Sequence, residues 1–466
     1  MSSKSLVRVQ SSLLWRRPAA GWPRSNRSAL VAAGIVAAAL LTAGGPPAQA
    51  KRVKMRVALA NPLLTNQERQ TTFLKVGLTA EAPAEVRRVP VNVTLVLDKS
   101  GSMAGEKIER AKQAARMALD RLHPEDIVSV VAYDDSVTVL VPATRAGDRR
   151  AVLAGIEQLE AGGQTALFAG VSKGAQELRK FHDRQRINRL VLLSDGQANV
   201  GPSTPAELGA LGASLGKEGI GVTTIGLGLD YNEDLMTQLA LRSEGNHFFA
   251  RTAEELSRGF DLEFSIGLAV PVQQVKVRIR CAEGVRPQRL LNARGELLGQ
   301  TAQVDLNQLY GGREASLLLE LQVPGAAAGT LREVAQVEVS YTDLQTRQTE
   351  SMQQAVMVQF TDAAKKVEQA IDGNVMEEVA LHEANRQYKV ALELRDRGQV
   401  EQARQLLLDN KANLAKQGSK YRSQRLQDFG EMNRLSSDNL DEGRWNEERK
   451  RMRDIQLEFD VPSAAY

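Results

Sequence analysis

Pro90-Val91-Asn92-Val93-Thr94-Leu95-Val96-Leu97-Asp98-Lys99-Ser100-Gly101-Ser102-Met103 is the stretch on which the reading of this chain turns. Val91 to Leu97 is a β-branched, largely apolar run, the composition of a strand covered on both faces, and it stops at Asp98 in a string of small polar residues. A strand that ends in this way is typical of the carboxyl edge of an open α/β sheet, where such sheets hold their ligands.

Beyond Met103 the chain alternates regularly between helix and strand, the pattern of a doubly wound, mostly parallel sheet with helices on both faces. Ile108, Ala111, Ala115, Leu119 and Leu122 form one buried stripe of a helix over 106–122. Further helices are expected at 148–159, 167–181, 205–215, 233–241 and 253–264. Strands are expected at 127–133, 137–141 (an antiparallel neighbour), 189–193, 222–226 and 246–249 (an edge).

On either side the texture differs. Residues 51–89 carry short alternating stretches such as Thr72 to Leu78, and 272–280, 316–323, 333–341 and 355–360 alternate in the same way between Gly and Pro punctuation. They predict an antiparallel β-sandwich over 270–361 to which the strands of 51–89 contribute, with the α/β domain of 90–265 inserted in it. Residues 362–466 read as a helical hairpin (377–397 and 400–414, resembling one tetratricopeptide-like unit or a helix pair covering the sandwich) with a charged tail after it, a solvated helix or partly disordered.

The formal charge of +4 from 60 cations and 56 anions is misleading, because residues 1–50 hold six cations and no acid. Without them the balance is 54 against 56, or −2, which gives no basis for binding nucleic acid. Those fifty residues read as a signal peptide: basic residues to Arg27, an apolar run from Ala29 to Leu41, and small residues at Ala48 and Ala50. The expectation is an exported protein, periplasmic, cell-surface or secreted, with no stable membrane insertion once the leader is cut. An uncleaved anchor is the second reading. The single cysteine, Cys281, excludes an intramolecular disulfide framework and Cys-rich metal sites, and four histidines leave little room for a His cluster.

On this scaffold Asp98, Ser100 and Ser102 leave one strand, Asp195 leaves a second, and Thr165 lies in the loop Gly162-Gly163-Gln164-Thr165. Oxygen donors of this kind suit a hard divalent cation such as Mg²⁺, with Mn²⁺ or Ca²⁺ as alternatives. Two carboxylates among neutral hydroxyls leave the cation undercompensated, and a carboxylate from outside completes it.

At these residues the chain resembles the von Willebrand factor type A family, whose metal-ion-dependent adhesion site has Asp-x-Ser-x-Ser, a distant Thr and a distant Asp. All five positions match in order as Asp98, Ser100, Ser102, Thr165 and Asp195. The resemblance covers about residues 90–265 and extends to Val131-Ala132-Tyr133 and Gly226-Leu227-Gly228. It implies that Ser100 and Ser102 coordinate directly, Thr165 in the ligand-competent state, and Asp98 and Asp195 directly or through water. It also implies a protein partner presenting an Asp or Glu carboxylate, and in some relatives a shift of the last helix, near 253–264.

The competing readings are weaker on the residues. Asp98 as a mere cap for the helix near Glu106 demands neither Thr165 nor Asp195. Asp134-Asp135 fits an exposed turn better than a cation site, and Asp230, Glu233 and Asp234 fit the acidic first turn of a helix better than an interaction rim. His123, His182, His247 and His382 are isolated. A phosphotransferase or metal-dependent hydrolase needs a second acid or base near Asp98, and no histidine is close to it in sequence, so binding without turnover is preferred. A structural envelope-assembly role with a non-essential metal site remains a rival. A chloride-channel homologue is disfavoured for want of a spanning segment.

Overall fold

The computed structural model describes residues 52–460 apart from residues 67, 82–88, 184 and 266–269. The expected signal peptide lies outside the described residues, among which no helix is long and apolar enough to cross a membrane.

Three strands come first, β1 (Val53–Leu59), β2 (Leu63–Thr65) and β3 (Arg69–Ala80). Next comes a six-stranded sheet, built from β4 (Val91–Asp98), β5 (Ile127–Tyr133), β6 (Val137–Arg145), β7 (Ile187–Ser194), β8 (Ile220–Leu227) and β9 (His247–Ala250). Its order is β6-β5-β4-β7-β8-β9, parallel throughout except for the antiparallel β5–β6 pair. Every residue of β4, β5, β7 and β8 is buried, because helices cover both faces and no side of these strands meets water.

Those helices are α1 (Glu106–Arg121), α2 (Arg149–Glu157), α3 (Leu167–Arg179), α4 (Pro205–Lys217), α5 (Glu233–Arg242) and α6 (Ala253–Ser265). Val91, Val93, Leu95 and Leu97 of β4 point to a core shared with α1, α2 and α6, while Val96 points to a second core shared with α3, α4 and α5. Local chemistry sets the helix starts. Thr204 and Glu207 form a reciprocal capping box with Pro205 behind them, and Asp148 and Asn232 cap α2 and α5 through their side chains.

The rest of the β-structure is β10 (Val272–Cys281), β11 (Arg286–Leu290), β12 (Glu296–Leu298), β13 (Thr301–Leu309), β14 (Glu314–Pro324), β15 (Leu331–Asp343) and β16 (Thr349–Thr361). The sheets β1-β3-β14-β11 and β12-β13-β10-β15-β16-β2 enclose one apolar core containing Leu74, Val76, Val277, Leu319 and Val337. β3 runs antiparallel to β14 from Arg69↔Pro324 to Thr79↔Glu314, so strands from before and after the α/β sheet share one layer of the sandwich. The structure adds β11, β12 and β13 to the expected strands, and one pairing, β16 with β2, is parallel.

Five helices close the chain: α7 (Ala364–Gln369), α8 (Gly373–Asp396), α9 (Val400–Tyr421), α10 (Gln424–Asp438) and α11 (Glu442–Asp460). α8 and α9 pair about Gly398. The tail, expected as a solvated helix or partly disordered, is packed instead: α10 and α11 bury Phe429, Lys450 and Met452. The charges of α11 suggested solvent exposure, yet Arg449, Lys450 and Arg453 pair with Glu233, Asp234 and Asp396 on other elements.

Candidate metal centre

β4, β7 and the loop before α3 bring the five sequence-predicted oxygens to one end of the sheet. Asp98 is the last residue of β4, and Asp195 comes directly after β7, the neighbouring parallel strand. After Asp98 the chain turns through a short 3-10 segment, Gly101–Met103, anchored by the buried Met103. The second loop is laced to the first, with Gly101 N donating to Gly163 O at 3.0 Å and Gly162 N to Lys99 O at 2.8 Å. Gly163 is required there: its φ is +73°, and a Cβ would stand 3.0 Å from that of Asp134.

The hydroxyls converge. Ser100 Oγ and Ser102 Oγ are 3.1 Å apart, and Ser102 Oγ donates to Asp195 Oδ1 at 2.8 Å. A Cβ on Gly196 would stand 3.2 Å from Thr165 Oγ1 and 3.5 Å from Ser102 Oγ, so both hydroxyls reach one point above that glycine. Asp98, Ser100, Thr165 and Asp195 are buried, whereas Ser102 is exposed and opens the cluster to solvent.

Several supporting residues carry no signature that singles them out in the sequence. Asp98 Oδ1 accepts from Ser100 N at 2.8 Å, and its Oδ2 accepts from Ser194 Oγ at 2.5 Å and Tyr133 OH at 3.3 Å. Asn199 Oδ1 accepts from Thr165 N at 2.8 Å, fixing that loop. Lys107 Nζ donates to Asp195 Oδ2. A weak signal for Lys107 does exist: a cation in the first turn of a helix opposes the helix dipole, so its place there calls for another partner.

Burial pushes the Asp98 carboxyl above the usual carboxylate range; donation from Ser100 and Ser194 opposes this and the nearby Asp195 adds to it. The donor set therefore fits a hard divalent cation, since it offers two carboxylates and three hydroxyls in a place where added positive charge relieves carboxylate repulsion. Among the described residues no three His, Cys, Asp or Glu side chains gather as a metal cluster.

Other sequence candidates resolve differently. Asp135 is exposed, but Asp134 is buried, against the expectation of an exposed turn. Its burial raises the carboxyl, and the Lys99 ammonium with the Ser136 hydroxyl and amide outweighs that, holding it at about 2. Glu233 and Asp234 form the acidic first turn of α5, as expected, and are covered by α11. His247 bonds to Thr224 Oγ1 at 2.7 Å and Tyr231 OH at 3.3 Å inside the protein, away from the five oxygens. Two clefts of about 540 and 740 Å³ share Lys217, Glu244 and Asn307 in their linings, and none of the five oxygen-bearing residues lines either.

The model of the von Willebrand factor type A domain matches residues 92–260. An uncharacterized protein of Synechocystis sp. is 28% identical over 289 residues, covering 59% of this chain and 67% of that protein. Human inter-alpha-trypsin inhibitor heavy chain H3 is 32% identical over 188 residues, covering 37% of this chain but only 20% of its own length. In fold, a von Willebrand factor type A structure from Catenulispora acidiphila aligns with a TM-score of 0.65 at 17% identity, over 80% of this chain and 88% of that one.

Proposed function

We propose, from the premise that residues 92–260 are a von Willebrand factor type A domain, that the chain binds a protein partner through a divalent cation held by Asp98, Ser100, Ser102, Thr165 and Asp195. The observation that carries the reading is the convergence of Thr165 Oγ1 and Ser102 Oγ above Gly196, next to the buried carboxylates. Mg²⁺, with Mn²⁺ or Ca²⁺ as alternatives, supplies when bound a Lewis-acidic position open to an Asp or Glu carboxylate of the partner. Asp98, held by three donors, sets the loop from which Ser100 and Ser102 project. Asn199 holds Thr165 at its edge. The exposure of Ser102 leaves a way in from solvent.

In this reading residues 1–50 direct export, 90–265 form the binding domain, 51–89 with 270–361 form its sandwich, and 362–466 brace it. The protein binds without turnover in this reading, since His247, the imidazole within the sheet itself, is engaged by Thr224 and Tyr231. A second reading is favoured by one observation: Lys107 already balances Asp195, so the fold is held without an ion. The protein would then be a structural assembly component whose metal site is dispensable. A pull-down from an envelope fraction, with and without EDTA and with Asp98→Ala as control, separates the two. Capture lost on chelation and in the variant supports cation bridging; capture indifferent to both favours the structural role.

A further inference from the structure

Lys107 stands in the first turn of α1 and spans two carboxylates. Its ammonium donates to Asp195 Oδ2 and lies 3.8 Å from Asp230 Oδ2. The two acids differ in their surroundings: the Asp195 side chain is 0% exposed and that of Asp230 77% exposed. A buried carboxylate is costly unless a cation accompanies it, so Asp195 needs Lys107 or a substitute, while water suffices for Asp230. Asp230 is also held in place from behind. The carbonyls on either side of it, Leu229 O and Tyr231 O, accept from Asn446 Nδ2 and Lys450 Nζ of α11, each at 3.0 Å.

We infer that Lys107 is a tethered counter-cation that competes with the divalent ion for Asp195, and that Asp230 is the position to which it withdraws when the ion enters. This rests on the metal-centre reading above and adds to it a residue that sets cation affinity. The electrostatic reason is direct. An ammonium and a divalent cation sharing one carboxylate repel each other at a few ångströms in a partly desolvated place, so gain of one favours departure of the other. The neighbouring acid at 3.8 Å lowers the cost of departure, because the ammonium moves to a second carboxylate rather than into water. The two residues therefore tune the site in opposite senses, Lys107 weakening cation uptake and Asp230 strengthening it.

The test is Mg²⁺ titration calorimetry on the purified full-length protein, with parent, Lys107→Gln, Asp230→Asn and the double variant, each first checked for an unchanged circular dichroism spectrum. Lys107→Gln is expected to bind Mg²⁺ about three- to fivefold more tightly and Asp230→Asn about twofold more weakly, the scale of a single partly exposed ion pair. In the Lys107→Gln background, Asp230→Asn is expected to have no further effect, because the withdrawing group is gone. Unchanged or weaker Mg²⁺ binding by Lys107→Gln overturns the inference while leaving the metal centre standing. An Asp230→Asn effect that persists undiminished in the double variant also overturns it. Absence of Mg²⁺ uptake in the parent and in Lys107→Gln alike overturns the metal centre itself, and the competition with it.

Discussion

Lys450 of α11 and Glu233 of α5, 217 positions apart in the chain, meet at 2.6 Å with the lysine side chain 2% exposed and the glutamate 6%. The same ammonium donates to Tyr231 O and lies 4.5 Å from the centre of the Tyr231 ring, while Arg449 pairs with Glu233, Asp234 and Asp396. The last helix is thereby fastened to the loop that borders the metal centre. Lys450→Met removes one partner of a buried pair and is expected to cost about 3 kcal/mol. Hydrogen exchange should speed up across 442–460 before it does in β4. Equal protection of α11 in the variant and the parent would contradict the fastening.

His247 gives a pH dependence of known sign. Burial, with Lys450 nearby, depresses its pKa from 6.5 to about 3. The native state thus disfavours the imidazolium while the unfolded chain accepts the proton readily. Stability falls as pH drops below about 6.5, and goes on falling toward about 3, by roughly 1.4 kcal/mol per pH unit from this group. Chemical denaturation at pH 7, 6, 5 and 4 should show a shallower acid loss in His247→Gln than in the parent. Parallel profiles would remove His247 as the cause.

Divalent cation should raise the thermal midpoint of the parent, because a ligand that binds only the native state stabilises it, by about 2.7 kcal/mol at a hundred times its Kd. Thr165→Val keeps the size of the side chain but loses Oγ1, and is expected to abolish most of that shift while leaving the cation-free midpoint nearly unchanged. Differential scanning fluorimetry with 0 and about 10 mM Mg²⁺ reads both numbers. An intact shift in Thr165→Val removes Thr165 from the donor set.

Arg189 of β7 and Glu263 of α6 form an ion pair at 3.0 Å with both side chains 1% exposed. Arg189 also donates to Tyr310 OH at 3.2 Å, and Glu263 accepts from Asn246 Nδ2 at 2.8 Å. Removing one member leaves a buried charge without its counterpart, so Arg189→Met is expected to cost about 3–5 kcal/mol. Arg189→Met combined with Glu263→Leu should recover much of the loss. Urea unfolding of the parent, Arg189→Met, Glu263→Leu and the double variant gives the coupling energy, and a double variant no better than Arg189→Met argues that the packing of Tyr310 carries the effect instead.

The α/β sheet is legible in the sequence because fully buried parallel strands leave unbroken runs such as Val91 to Leu97, and because capped helices announce their starts, as at Thr204 and Glu207. Asp98, Ser100, Ser102 and Asp195 are legible for the same reason, since they follow such strands; Thr165, in the loop between α2 and α3, is tied to them in the sequence only by the family resemblance. β11 and β12 leave no comparable trace: Pro287 and Arg289 interrupt one, and the other is three exposed residues. β13 does alternate, with Ala302, Val304 and Leu306 inward, but Gln303, Asp305 and Asn307, which alternate with them, read as loop. The partners of charged residues are the least legible. Nothing local tells that Lys450 is buried against Glu233 or that Lys107 turns toward Asp195, because a charge chooses its counterpart only after distant elements have docked.

The register of β3 against β14 has a consequence for biosynthesis. One edge of β3 is taken by β1 early, but its other edge is completed only when Glu314 to Pro324 leave the ribosome, more than 230 residues after Ala80. At about 5–20 residues per second that is on the order of ten to fifty seconds. During this interval the whole α/β sheet, whose neighbours are close in sequence, is free to fold while a two-stranded apolar ribbon waits beside it. A chain that has emerged only as far as residue 310 therefore leaves that edge of β3 open to pairing with another chain.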